Sequence, residues 1–137
     1  MNRGELKSLA DLRLKEARAL INKRLYDGAY YLTGYAVECG LKACIAKKTK
    51  RYDFPDKRIV NDSYTHDLNL LIKVSGLQVE LEVEMRRDRD FEVNWAIVKD
   101  WNESSRYVRH EARAAKSLYA AVTDSRHGVL RWLKRHW

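Results

Sequence analysis

Tyr31, Tyr35, Glu38 and Lys42 stand at spacings of four, three and four within GAYYLTGYAVECGLKACI, Gly28 to Ile45. On a helix, such spacings bring side chains onto one face, here two aromatic rings, an acid and a base. A lysine or arginine holds phosphate and a tyrosine or tryptophan stacks on a base, so this face is a candidate nucleotide or RNA site. Glu38 sits in an otherwise apolar run, and a carboxylate buried there must be paired to stay charged. Its candidate partners are Lys42, one turn on, and Arg106 in WNESSRYVRH. The plainer alternative is a surface stripe: two half-buried tyrosines and a Glu38–Lys42 ion pair worth a few tenths of a kcal/mol.

Other chemistries find less support. No G-x-x-x-x-G-K-[ST] loop and no G-x-G-x-x-G turn occurs, so side chains must hold any nucleotide. None of the four histidines has a second histidine or an acid at a metal-ligand spacing, so neither a metal site nor a cofactor is expected. His66 is expected to satisfy a helix first turn or a neighbouring carbonyl, and His127 to be exposed. Cys39 and Cys44 lie five apart in apolar surroundings, neither a C-x-x-C pair nor a zinc spacing, and are expected to be buried, reduced thiols.

The 137 residues fit one domain, 1–137, which at this size hides roughly two-thirds of its unfolded surface without disulfides or metal. No apolar run reaches the roughly 18 residues of a membrane span. The start, MNRGELKSLADLRLKEAR, is charged throughout, and a cytoplasmic location is expected. A net charge of +8 and a pI near 9.6 favour polyanionic partners. The cations concentrate in KKTKRYDFPDKR, Lys47 to Arg58, and in the tail RHGVLRWLKRHW.

One proline and six glycines leave little punctuation, which favours helices joined by short turns. Leu6, Leu9, Leu12, Ala17, Leu20 and Ile21 predict a helix from about Ser8 to Arg24, broken at Tyr26-Asp27-Gly28. The helix that carries the polar face follows, from about Ala29 to Lys48, making an antiparallel hairpin with the first. Its other side, Ala29, Thr33, Ala36, Gly40 and Ala43, is a stripe of small residues that lets a neighbour approach closely, in this chain or a second subunit. Gly34 and Gly40, each costing on the order of 1 kcal/mol in a helix, also imply tight packing. The segment from 47 to 64 reads as a long irregular loop.

Thr65 is expected to cap a third helix bearing Leu68, Leu71 and Ile72, and Ser75-Gly76-Leu77 to stop it. QVELEVEM alternates like a strand, yet Leu77, Leu81 and Met85 fit a helix. No second strand exists for it to pair with, so a helix is predicted. Further helices are expected over Phe91 to Trp101, around Ala112 to Val122, and after a Ser125 cap, where Val129, Trp132 and Leu133 face inward. Together these give an all-α fold, an antiparallel up-and-down bundle with short additional helices.

AYYLTGYAVECGLKACI, THDLNLL, NWAIVKDWNESSRY and HGVLRWLKRHW together resemble the HEPN domain (higher eukaryotes and prokaryotes nucleotide-binding), over about Ser8 to Trp137. The resemblance implies a helical bundle, commonly a homodimer, that binds nucleotide or RNA, often beside a minimal nucleotidyltransferase in toxin–antitoxin pairs. It directs binding to Tyr31, Tyr35, Glu38, Lys42, Arg106 and Tyr107. Some relatives are metal-independent ribonucleases with an arginine and a following histidine separated by four to six intervening residues. There the histidine handles the 2′-hydroxyl proton and the arginine steadies the phosphorane. Arg131 and His136 are the matching catalytic pair in this chain, although Trp132 stands where a polar residue is usual. Five helical residues also turn the pair about 140° apart unless the helix ends between them. Arg106 and His110 lie four apart, outside that pattern. Three readings follow: a non-catalytic binding or nucleotidyltransferase-partner module, a ribonuclease toxin, and a purely structural interaction domain.

Overall fold

In a computed structural model, which describes residues 1–49 and 53–137, the first helix opens with a reciprocal cap. The Asn2 side chain accepts from the Glu5 backbone N–H (2.9 Å), and the Glu5 carboxylate accepts from the Asn2 N–H (2.8 Å). This starts α1 (Arg3–Asn22) five residues before the expected start at Ser8. The helix ends where Arg24 takes a left-handed conformation, φ 59°, and the Leu25 N–H reaches back to the Leu20 carbonyl (2.8 Å). The break therefore falls at residues 23–25 rather than at Tyr26-Asp27-Gly28. Gly28 is absorbed into α2 (Tyr26–Lys48).

Helix α2 is the axis of the molecule. At 23 residues it is about 35 Å long. It packs against α1, α4 (Leu68–Ser75), α7 (Ala112–Thr123), α8 (Val129–Lys134) and the 3₁₀ segment Glu103–Tyr107. A helix covered on so many sides cannot be amphipathic, and its neighbours approach closely only where its side chains are small. Ala29, Thr33, Ala36, Gly40 and Ala43 are all buried, as the small stripe predicts, and the Thr33 hydroxyl donates to the Ala29 carbonyl (2.7 Å). Gly34 lies beneath the Trp101 indole, and Gly40 faces Leu133 and Trp137. Trp137 thus packs within its own chain, its carbonyl oxygen accepting from Arg3 Nη2 (2.6 Å).

The long loop expected at 47–64 contains a helix, α3 (Lys57–Asp62), whose cap Asp56 accepts from the Arg58 N–H. Lys50, Arg51 and Tyr52 lie outside the described residues. Asp67, not Thr65, caps α4. Its carboxylate accepts from the Asn69 and Leu70 N–H groups, while the Thr65 hydroxyl accepts from Asp67's own. Gly76, φ 73°, stops α4, and the Leu77 N–H returns to the Ile72 carbonyl, as Ser75-Gly76-Leu77 suggests. QVELEVEM forms α5 (Gln78–Arg87), and Asp88 ends it while capping α6 (Arg89–Val98) through the Phe91 N–H. Asp124 rather than Ser125 organises the turn before α8, accepting from the Arg126 and His127 N–H groups.

The described residues form an all-α bundle of eight α-helices, and no helix among them is long and apolar enough to cross a membrane. One apolar cluster runs through it, with Leu41, Leu71, Phe91, Trp101, Leu118 and Leu133 among its members. Cys39 and Cys44 are buried free thiols, Cys44 within that cluster, and burial pushes both pKa values up to about 11.

A methyl group at Gly34 would overlap the face of the Trp101 indole, whereas one at Gly40 would lie 3.1 Å from the tip of the Leu133 side chain. Gly34→Ala should cost about 1–3 kcal/mol. Gly40→Ala should cost clearly less, because a helix-propensity gain of about 1 kcal/mol offsets its crowding. Urea unfolding measures both, and equal losses would contradict the seat assigned to Trp101.

Candidate functional site

Glu38 lies midway along α2 and is 2 % exposed. Its Oε1 accepts from Lys42 Nζ and from His66 Nδ1, each at 2.9 Å. The other imidazole nitrogen, Nε2, is 3.2 Å from Glu103 Oε2. A line of polar contacts, Lys42–Glu38–His66–Glu103, thus runs from the buried helix to the surface. Local structure sets each position. Lys42 is one helical turn from Glu38. His66 is held between Thr65 and Asp67 in the capping turn of α4. Glu103 opens the 3₁₀ segment, whose cap is Asn102. Both nitrogens of His66 face carboxylate oxygens.

Glu38 is therefore buried and paired with Lys42, one of its two expected partners, beside the half-buried Tyr31 and Tyr35. Arg106 is not its partner. The 3₁₀ segment carries Arg106 to the surface, where its guanidinium lies 4.9 Å from the Tyr107 ring centroid. The phenols of Tyr107 and then Tyr31 raise the Arg106 pKa above its ordinary value. His66 also departs from expectation, since it hydrogen-bonds the Glu38 carboxylate, with the Glu103 carboxylate nearby, rather than a carbonyl.

Beside this line runs an aromatic ladder. Tyr31 and Tyr35 stack with centroids 6.1 Å apart and ring planes within 3°, and Trp101 adjoins Tyr31 at 5.9 Å. Arg13, fixed by Glu16 (2.6 Å), places its guanidinium 6.0 Å from the Tyr35 ring. Burial raises the Tyr35 pKa. Tyr107, 79 % exposed, extends the aromatic surface into solvent. A cavity of about 400 Å³ opens next to His66, with Asp67, Trp101, Glu103 and Ser104 in its wall. Glu38 Oε2, Trp101 Nε1 and Ser105 Oγ are buried without hydrogen-bond partners.

Of the residues singled out in the sequence, the fold gathers Tyr31, Tyr35, Glu38 and Lys42 on one face, with Arg106 and Tyr107 beside Tyr31. Sequence reasoning misses His66, Glu103, Trp101 and Arg13 as members. His66 is 28 residues from Glu38, and no local spacing signals that pairing.

Arg131 and His136 are not brought together within the chain. Arg131 donates to the Arg126 carbonyl (3.1 Å) and borders a depression with Asp124 and Leu130. His136 packs against Trp132, centroids 4.9 Å apart, in a groove between α5 and α8. Burial there lowers its pKa from 6.5. His110 stacks on Tyr30 at 3.8 Å, and its Nε2 bonds the Ser105 carbonyl, so it anchors the loop before α7 rather than joining Arg106. His127 is half-buried, not exposed. Its Nδ1 lies 2.7 Å from Asp88 Oδ2, a bond that raises the histidine's pKa and lowers the aspartate's. Asp90 completes a group whose potential ligand atoms lie within 4.8 Å of one another, so the described residues do assemble donors that local spacing could not reveal.

No family model, curated protein or solved structure matches the chain.

Removing one partner of a buried ion pair leaves the other charge uncompensated. Lys42→Met should therefore destabilise the protein by about 3 kcal/mol, far more than an exposed lysine replacement. Replacing Glu38 by leucine in the same chain should restore part of that loss. Chemical denaturation measures both, and a neutral Lys42→Met would reduce Glu38–Lys42 to an ordinary surface pair.

Proposed function

We propose that this chain is a HEPN-like module, acting as a homodimer in the cytoplasm, that binds nucleotide or RNA without cleaving it. The observation that carries the reading is the half-buried Tyr31–Tyr35 stack, backed by the buried Trp101 and flanked by Arg13, Lys42 and the Arg106–Tyr107 pair. Stacked aromatic side chains offer faces to bases without regard to sequence, and adjoining guanidinium groups neutralise phosphate. Glu38 takes no part in phosphate binding in this proposal. It and His66 fix the groove's floor, and the +8 net charge supplies long-range attraction. A minimal nucleotidyltransferase partner, in a toxin–antitoxin type pair, is compatible with the same surface, since an enzyme that handles nucleotides would sit beside it.

Labelled single-stranded RNA should bind with an affinity that falls steeply as salt rises. Arg106→Ala should reduce the salt slope by about one phosphate contact. Tyr107→Ala should cost about 1–3 kcal/mol of binding. Fluorescence anisotropy across a salt series reads all three, and absence of binding at low salt would remove the RNA-binding proposal.

A further inference from the structure

Asp88, Asp90 and His127 take no part in the Glu38 line, yet the fold holds them together. Asp88 and Asp90 stand at the start of α6, and His127 stands in the turn before α8. The backbone of His127 is fixed at both ends: its N–H donates to Asp124 Oδ1 (2.6 Å) and its carbonyl accepts from Asn94 Nδ2 (2.9 Å). Its ring is fixed as well, through Nδ1 and Asp88 Oδ2 at 2.7 Å. Asp88 is itself immobilised by capping the Phe91 N–H. This leaves Nε2 facing Asp90 Oδ2 at 3.6 Å.

We propose that His127 Nε2 and the Asp90 carboxylate chelate a divalent transition ion of the zinc class, with Asp88 as the outer carboxylate that orients the imidazole.

The separation is the first argument. At 3.6 Å the pair is too far apart for an N–H···O hydrogen bond, which spans about 2.7–3.2 Å. Two donors each about 2.0–2.2 Å from a tetrahedral ion lie about 3.4 Å apart, so a zinc-sized ion fits between them with little movement. Asp90 is free to make that adjustment, because its side chain is 77 % exposed. The second argument is the tautomer. A metal-binding histidine commonly donates its other ring N–H to a carboxylate, and Asp88 supplies that bond at Nδ1. On binding, the ion takes the place of any proton on Nε2, which leaves to solvent, while the Nδ1 proton stays on its bond to Asp88. The third is donor type. One imidazole and one carboxylate suit zinc, cobalt or nickel better than calcium or magnesium, which prefer all-oxygen shells. Water fills the remaining positions. The ion would clip the start of α6 to the turn before α8 and stabilise the fold by mass action.

Calorimetric titration of the chelator-treated full chain with zinc chloride tests this, and circular dichroism in chelator first verifies that each variant is folded. The wild type should bind one zinc per chain. Asp90→Asn and Asp88→Asn should each weaken binding by about tenfold or more, and His127→Gln should weaken it further. His66→Gln should leave it unchanged. Nitrogen-15 NMR of the histidine rings should place the zinc-induced shift at Nε2 of His127. The proposal is overturned if the wild type binds no zinc at millimolar concentration. It is equally overturned if Asp90→Asn or His127→Gln binds as tightly as the wild type, if His66→Gln loses the site, or if the shift falls elsewhere.

Discussion

A carboxylate placed midway along an almost fully covered helix imposes conditions on everything near it. Glu38 cannot reach water, so its charge is balanced inside the fold by Lys42 on the same helix, and it also takes a hydrogen bond from His66 of another element. The second contact is the more demanding one, because it fixes where the capping turn of α4 must lie relative to α2. His66 then passes the constraint outward to Glu103 and so positions the 3₁₀ segment that carries Arg106 and Tyr107. Trp101, just before that segment, finds its seat on the bare backbone of Gly34. One buried charge and one missing side chain, a single turn apart on α2, thereby organise the aromatic and cationic face.

The same central position explains the unusual composition of α2. Covered by α1, α4, α7, α8 and the 3₁₀ segment, it has no continuous solvent face to fill with charge. Small residues line the close approaches, and aromatic residues and one ion pair line the remaining side. Tyr31 and Tyr35 remain partly accessible and stacked, which suits them to receive a planar ligand edge.

Much of this organisation is legible in the amino-acid sequence. Gly34 and Gly40 signal close packing because a helix tolerates them only at a cost, and Ser75-Gly76-Leu77 marks a helix stop through glycine's left-handed freedom. The shared face of Tyr31, Tyr35, Glu38 and Lys42 follows from helical spacing alone. What escapes is non-local or weakly periodic. The Arg24 turn uses a residue that rarely takes positive φ, so Gly28 draws the expected boundary to itself. Helix α3 buries no residue and leaves no apolar stripe to read. The His66–Glu38 and His127–Asp88 contacts join residues far apart in sequence. Arg106 is a reasonable partner for Glu38 by residue type, but His66 lies nearer in space and already occupies that carboxylate.

The Tyr31–Tyr35–Arg106–Tyr107 face is the surface proposed to meet nucleic acid. Chemical-shift mapping of the labelled chain with a short single-stranded RNA locates the contact surface directly. The expected perturbations centre on Tyr31, Tyr35, Trp101, Arg106 and Tyr107, with a secondary response at His66 as its carboxylate partners adjust. Perturbations centred instead on the α5–α8 groove around His136, with the Tyr31 face unmoved, would contradict it.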